Sequence, residues 1–281
     1  MKRNLLTKVL GTVLILSLGV LAGCGAESKE SDNNTDKESS EVVKLGLTAV
    51  IDEEIWKPIK EQLKTEGVEL EIIQFSDYTL PNNALSNGDI DINAFQHHAY
   101  FNNEVAEKGY EISAIGDTFI TAMNIYSEKI SSVEELKEGD IVAIPDDVTN
   151  GGRALRILDS AGVITLEENI SKNPTTSDIK EYNTKITLTE VGAGNIPAML
   201  PDVAAAVING NYALDYKLDP ETAIFRESEY PDNSYFCLIA VRKGEEENPV
   251  YQRIVELFQS EATKEIFINT FSGYFVPAWE Q

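Results

Sequence analysis

Asp89-Ile-Asp-Ile-Asn-Ala-Phe-Gln-His-His-Ala-Tyr-Phe101 is the stretch on which the reading of this chain turns. Ile90 and Ile92 alternate with Asp89, Asp91 and Asn93, the period-two pattern of a half-buried strand. The strand then runs into a crowded polar and aromatic cluster: Phe95, Gln96, His97, His98, Tyr100 and Phe101. This cluster holds both histidines of the protein. Open α/β sheets place ligands beyond the carboxyl ends of their strands, so the cluster marks a candidate pocket wall. Taken alone, it reads equally well as core aromatics beside histidines that cap a helix.

Around this stretch, strand and helix patterns alternate. Val42–Leu47 reads as a first strand, and Ile55, Ile59 and Leu63 share one face of a helix that ends near Gly67. Pro58 lies inside that pattern and predicts a kink or a late start. Val68–Phe75 is a strand, Pro81–Leu85 a short helix, Asp89–Asn93 a strand and His98–Glu107 a helix. Phe119–Tyr126 reads as one strand, and Ser132 with Glu135 has the capping-box spacing of a helix start. Further strands are expected at Asp140–Ile144, Ile186–Val191, Ala204–Ile208 and Tyr235–Val241. Helices are expected at about Pro249–Gln259 and Ala262–Phe271. Such alternation gives an α/β fold with parallel strands and helices on both faces.

The first forty residues concern the compartment. Lys2, Arg3 and Lys8 precede an apolar run from Val9 to Leu21, the pattern of a secretory signal peptide spanning 1–23. Leu21-Ala-Gly-Cys24 is similar to the bacterial lipobox, which implies cleavage before Cys24 and lipidation of its thiol. Residues 24–41 are polar and charged, a solvated tether reaching roughly 20–25 Å. Removing Lys2, Arg3 and Lys8, the only charges in residues 1–23, takes the formal charge from −24 to −27. A field of that sign argues against nucleic acid as a partner. With Cys24 committed to the anchor, Cys237 stands alone in the apolar run Phe236–Val241, so neither a disulfide nor a catalytic thiol is expected.

Three further segments carry candidate chemistry. Arg153 follows Asn150-Gly-Gly, read here as a turn opening a helix, with the arginine in the first helical turn. That placement suits a carboxylate ligand, with the glycines allowing close approach to the backbone. Asn209-Gly-Asn211 follows the apolar strand Ala204–Ile208, and Tyr78 precedes Pro81 as another possible wall. Each also has an ordinary reading: a surface arginine, a turn, a core tyrosine. His97 and His98 are too few and too divergent for a typical zinc site. No Gly-x-Ser-x-Gly or His-Glu-x-x-His is present, so no enzymatic activity and no cofactor are expected.

Taken together, Phe95–Tyr100, Pro145–Leu155, Ala205–Ala213 and Ile239–Gly244 resemble the signature segments of methionine-binding lipoproteins of the NlpA/MetQ type. The resemblance runs in order from Val43 to the C-terminus. It implies the two-lobed periplasmic-binding-protein architecture, each lobe a mixed, mostly parallel sheet flanked by helices. Lobe I would comprise 42–120 plus 236–281 and lobe II 121–235, with crossings near Thr118–Met123 and Tyr230–Leu238. It further implies a monomeric, lipid-anchored protein on the outer face of the cell membrane. The protein would capture methionine, or a related amino acid or methionine-containing peptide, for the permease and ATPase of an ABC importer. By position, Tyr78, Phe95, His97, His98 and Tyr100 would wall the side-chain pocket. Arg153 would hold the carboxylate, and Asn150, Asn209 and Asn211 the backbone groups. The chain departs from the family at Asp52, where a histidine is frequent, at Pro145–Asn150, and at Cys237, where many members carry an asparagine that contacts the ligand. A zinc- or manganese-binding lipoprotein of an importer and a surface adhesion domain are the alternatives.

Overall fold

The computed structural model describes residues 41–228, 230, 232–272 and 274–281. The expected signal segment, Cys24 and the tether up to Ser40 lie outside the described residues. Glu41, read as the last tether residue, instead opens the first strand and pairs with Val68.

The first run of elements is β1 (Glu41–Leu47), α1 (Glu53–Thr65), β2 (Val68–Gln74), α2 (Pro81–Asn87), β3 (Ile92–Asn93), α3 (His98–Lys108) and β4 (Ile112–Asp117). Val43, Leu45 and Leu47 of β1 are buried, and α1 covers them with Ile55, Trp56, Ile59 and Leu63. The helix begins at Glu53, so Pro58 causes no late start. Pro58 and Glu54 both face solvent, so the carbonyl that proline leaves unbonded can be served by water. The strand expected at Asp89–Asn93 narrows to Ile92–Asn93. Before it, the Ile90 carbonyl and the Asp91 carboxylate accept from the Arg242 guanidinium at 2.6 and 3.2 Å.

Next come β5 (Phe119–Ile120), β6 (Asn124–Tyr126), β7 (Ile141–Pro145), α4 (Val148–Ser160), β8 (Ile164–Leu166), β9 (Ile179–Tyr182), β10 (Thr187–Val191), β11 (Ala205–Ile208) and α5 (Gly210–Asp215). The single strand expected over Phe119–Tyr126 is two, broken at Thr121–Met123. There the backbone bonds to side chains instead of a ladder. Thr121 O accepts from Arg153, Ala122 O from the Tyr274 hydroxyl, and Met123 N–H donates to Glu227. The helix expected after Ser132 is only a 3-10 turn, Val133–Glu135, and the Glu135 carboxylate accepts from Ser131 N–H. The last run is β12 (Leu238–Arg242), α6 (Pro249–Phe258), α7 (Glu261–Asn269) and β13 (Val276–Pro277). Among the described residues, no helix is long and apolar enough to cross a membrane.

Two mixed sheets organise these elements. The first has the order β2-β1-β3-β12-β4, and the second β10-β7-β11-β6. In the first, β2, β1 and β3 are parallel, while β12 is antiparallel to both β3 and β4. In the second, β10, β7 and β11 are parallel and β6 is antiparallel. The chain leaves the first sheet after β4, and β12 brings it back. Each sheet has its own core. Trp56, Ile254 and Phe258 pack under the first, and Leu155 and Leu158 under the second. Beyond β3, β7 and β11, the loops at 94–97, 146–147 and 209 carry the residues of the candidate site.

Candidate ligand-binding site

The loop after β3 is held by a buried amide network. Asn82 Nδ2 donates to Gln96 Oε1 (2.7 Å), while Gln96 Nε2 donates to Asn82 Oδ1 (2.7 Å) and Asn93 Oδ1 (3.0 Å). With its backbone so constrained, the loop delivers His97 as the N-cap of α3, where Nδ1 accepts the Tyr100 N–H at 3.1 Å. A neutral imidazole that accepts at Nδ1 carries its proton on Nε2. Nε2 then donates to Asn150 Oδ1 at 3.1 Å. Burial, and then the charge of Arg153, push the His97 pKa down to about 3, so the ring is neutral at physiological pH. His97 thus satisfies both readings of the histidine cluster: it caps a helix and lines a cavity.

His98 does not join it. As the first residue of α3 its ring turns away, and Nε2 meets Asp117 Oδ1 at 2.6 Å on a partly exposed flank. Successive side chains at a helix start diverge, which removes His98 from the wall and the histidine pair from any shared metal. Among the described residues, no three His, Cys, Asp or Glu side chains converge in a metal-binding group.

On the opposite side, Asp147 caps α4, its Oδ1 accepting from Thr149 N–H (3.2 Å) and Asn150 N–H (2.9 Å). The helix therefore starts at Val148, and Asn150, Gly151 and Gly152 lie inside it. This corrects the sequence reading: Arg153 is in the second turn, away from the free amides of the helix start. The glycines make room for the chain itself. A Cβ on Gly151 would sit 2.9 Å from Pro145 O, and one on Gly152 2.9 Å from Asn173 Cα. Asn150 Nδ2 donates to both Asp147 carboxylate oxygens, and Asn150 Oδ1 also accepts from Asn209 Nδ2 at 2.8 Å. One amide thereby joins His97, Asn209 and Asp147.

Arg153 is held by a partner the sequence did not single out. Its Nε donates to Glu227 Oε1 at 2.7 Å, while Nη2 donates to Glu227 Oε2 and to Thr121 O. The guanidinium lies 4.2 Å from the Tyr235 ring centroid. Burial works against the arginine's charge, but Glu227 outweighs it and raises its pKa. Glu227 in turn accepts from Met123 N–H (2.8 Å) and donates its own N–H to Asn124 Oδ1 (3.1 Å). The buried pair therefore ties α4 to both segments that run between the sheets, leaving Nη1 outside these bonds. In a chain with 47 acidic residues, nothing local marks Glu227.

Around these groups lies a narrow cavity of about 30 Å³. Of the ten side chains expected there, Tyr78, Phe95, His97, Tyr100, Asn150, Arg153, Asn209, Asn211 and Cys237 line it, and His98 does not. Gln96, Phe119, Thr121, Gly210 and Tyr235 complete the lining. One end is aromatic. Tyr78 stacks on Tyr212 at 4.9 Å, lies tilted against Phe95 at 5.9 Å and meets Tyr100 edge-on at 6.0 Å. Its hydroxyl donates to Asn211 Oδ1 at 2.8 Å, and the Tyr100 hydroxyl to Tyr78 O at 3.0 Å. The other end is polar. Asn209 Oδ1 and Thr121 Oγ1 are buried without a hydrogen-bond partner among the described residues, a condition native proteins rarely leave unanswered. Cys237 also lines the cavity, its thiol pushed up to about 12 mainly by burial and therefore neutral. Its backbone bonds to Phe119 O and Thr118 N–H.

A profile of the NlpA lipoprotein family matches residues 43–279. The chain is 35% identical to the D-methionine-binding lipoprotein MetQ of Salmonella typhi, over 92% of this chain and 93% of that protein. A nutrient-binding protein from Burkholderia cenocepacia, solved bound to methionine, superposes with a TM-score of 0.79 at 38% identity, over 84% of this chain and 99% of that one. The substrate-binding protein of a methionine transporter from Streptococcus pneumoniae gives 0.80 at 30% identity, over 84% and 95%.

Proposed function

The chain belongs to the NlpA lipoprotein family, and on that premise we propose that it is an extracytoplasmic substrate-binding lipoprotein. It captures methionine, or a close relative or methionine-containing short peptide, and delivers it to the permease and ATPase of an ABC importer. The carrying observation is that the elements following β3, β7 and β11 meet around one cavity with an aromatic end and a polar end. A thioether is polarizable and favours aromatic contacts, which Tyr78, Phe95 and Tyr100 provide. The ammonium goes to the unpartnered acceptors Asn209 Oδ1 and Thr121 Oγ1, and the carboxylate to the Arg153 edge that Glu227 leaves free.

Residues 42–120 with 236–281 form one lobe and 121–235 the other. They close about the segments near Thr118–Met123 and Tyr230–Leu238. Closure is supported by two bonds that cross between the lobes, His97 to Asn150 and Tyr78 to Asn211. The protein works as a monomer tethered through a lipid on Cys24, and it releases its cargo chemically unchanged.

A groove shares Arg153 and Tyr235 with the cavity and runs outward between Asn102 and Ser228. It favours a methionine dipeptide as a second cargo, its extra residue lying in the groove. The test is to purify the protein without unfolding it, denature it, and identify the released small molecules by mass spectrometry. Methionine or one methionine dipeptide in near-equimolar amount is expected. An extract free of both, from protein that gains no thermal stability with either, would overturn the reading.

A further inference from the structure

Asp52 ends a 3-10 turn, Val50–Asp52, at the start of α1. It is 1% exposed, and neither of its carboxylate oxygens has a hydrogen-bond partner among the described residues. The Thr48 and Tyr212 hydroxyls are buried and unpartnered as well. Thr48, Tyr212 and Asp215 line one pocket. On α5, Asp215 Oδ2 accepts Val50 N–H at 2.9 Å and Oδ1 accepts Ile51 N–H at 2.7 Å. Those bonds clamp α5 of one lobe onto the turn of the other. They also occupy the amides of the two residues that precede Asp52. Neither Asp52 nor Asp215 is ion-paired with a lysine or arginine among the described residues.

A carboxylate taken out of water with no donor and no counter-charge is strongly disfavoured. Burial, and then the charge of Asp215, hold the Asp52 carboxyl well above its usual range, as expected of an acid lacking a cation. Asp52 and Asp215 bring carboxylates and Thr48 and Tyr212 bring hydroxyls, the donor chemistry of hard cations. A divalent ion would call for more acidic ligands than two, one of which already serves backbone amides.

We propose that Thr48, Asp52, Tyr212 and Asp215 form a site for a monovalent alkali cation that bridges the two lobes. Thr48 and Asp52 come from one lobe, Tyr212 and Asp215 from the other, so a bound ion draws them together. Tyr212 also stacks on Tyr78 of the ligand cavity, so the ion and the cargo favour the same closed arrangement. This coupling to cargo rests on the function proposed above.

The test is thermal unfolding of the full-length protein in detergent, at constant ionic strength, with choline chloride replaced stepwise by lithium, sodium or potassium chloride. Methionine affinity is measured in the same series. At least one alkali cation raises Tm saturably over choline and tightens methionine binding several-fold. Asp52→Asn abolishes both effects. Tyr212→Phe, which keeps the ring and removes one oxygen, weakens them and serves should Asp52→Asn fail to fold. Equal Tm in choline and all three alkali salts overturns the site. So does stability that responds to pH but to no cation, since a proton then supplies the counter-charge. A cation effect in a protein that binds no methionine keeps the site and sinks the cargo assignment, whereas methionine binding without a cation effect does the reverse.

Discussion

Replacing Arg153 by methionine is expected to cost far more stability than losing a surface charge. The Arg153 and Glu227 side chains are only 5% and 7% exposed. The substitution removes the paired contacts to Glu227 and the bond to Thr121 O, leaving the Glu227 carboxylate with Met123 N–H alone. Breaking a buried pair from one side costs about 3–5 kcal/mol, because a charge remains buried without compensation. For a domain of this size that lowers Tm by roughly 10 °C or more. Arg153→Met with Glu227→Gln removes the stranded charge while keeping an acceptor for Met123 N–H. The double variant should therefore recover about 2 kcal/mol or more relative to the sum of the single changes. Urea unfolding followed by circular dichroism, on wild type, both single variants and the double, closes the cycle. If Arg153→Met unfolds within 1 kcal/mol of wild type, or the two changes simply add, the pair is not the structural tie described here.

Three other outcomes follow from single positions. Gly210→Ala places a Cβ against Thr121 Oγ1 and 2.7 Å from Ala122 O; it should lose about 1–3 kcal/mol in urea unfolding, as overpacking does. His97 has a folded pKa near 3 against 6.5 unfolded, so the unfolded chain binds the extra proton. His97 therefore contributes stability that is complete above about pH 6.5 and declines as pH falls toward 3. By pH 4.5 this is roughly 2–3 kcal/mol, and His97→Gln should show that much less acid sensitivity between pH 7 and 4.5. Cys237→Asn adds an amide to the cavity wall and should tighten methionine binding up to about tenfold by titration calorimetry, the worth of one good neutral hydrogen bond; unchanged or weaker binding would remove Cys237 from the determinants of affinity.

Local pattern carried much of the architecture. The α1 stripe of Ile55, Ile59 and Leu63 and the alternation in β1 state a periodicity that burial then honours. Errors arose where distant groups outbid local preference. Asn150-Gly-Gly reads as a turn because glycine pairs punctuate chains, yet Asp147 caps the helix three residues earlier and the glycines answer to Pro145 and Asn173. Phe119–Tyr126 has the composition of one strand, but side chains from Arg153, Glu227 and Tyr274 claim its middle amides and carbonyls. Adjacent histidines cannot reveal which ring turns inward; that is decided by which residue occupies the cap of α3. Glu227 had no local signature, and only the fold brings it to Arg153.

Calorimetric titration of the ligand-stripped, refolded protein with L-methionine bears most directly on the central claim that the aromatic and polar ends of the cavity are built for one amino-acid cargo. A saturable one-to-one isotherm, micromolar or tighter, is expected, with a negative heat-capacity change as the thioether leaves water. No saturable heat with L-methionine, D-methionine or any methionine-containing dipeptide would contradict it.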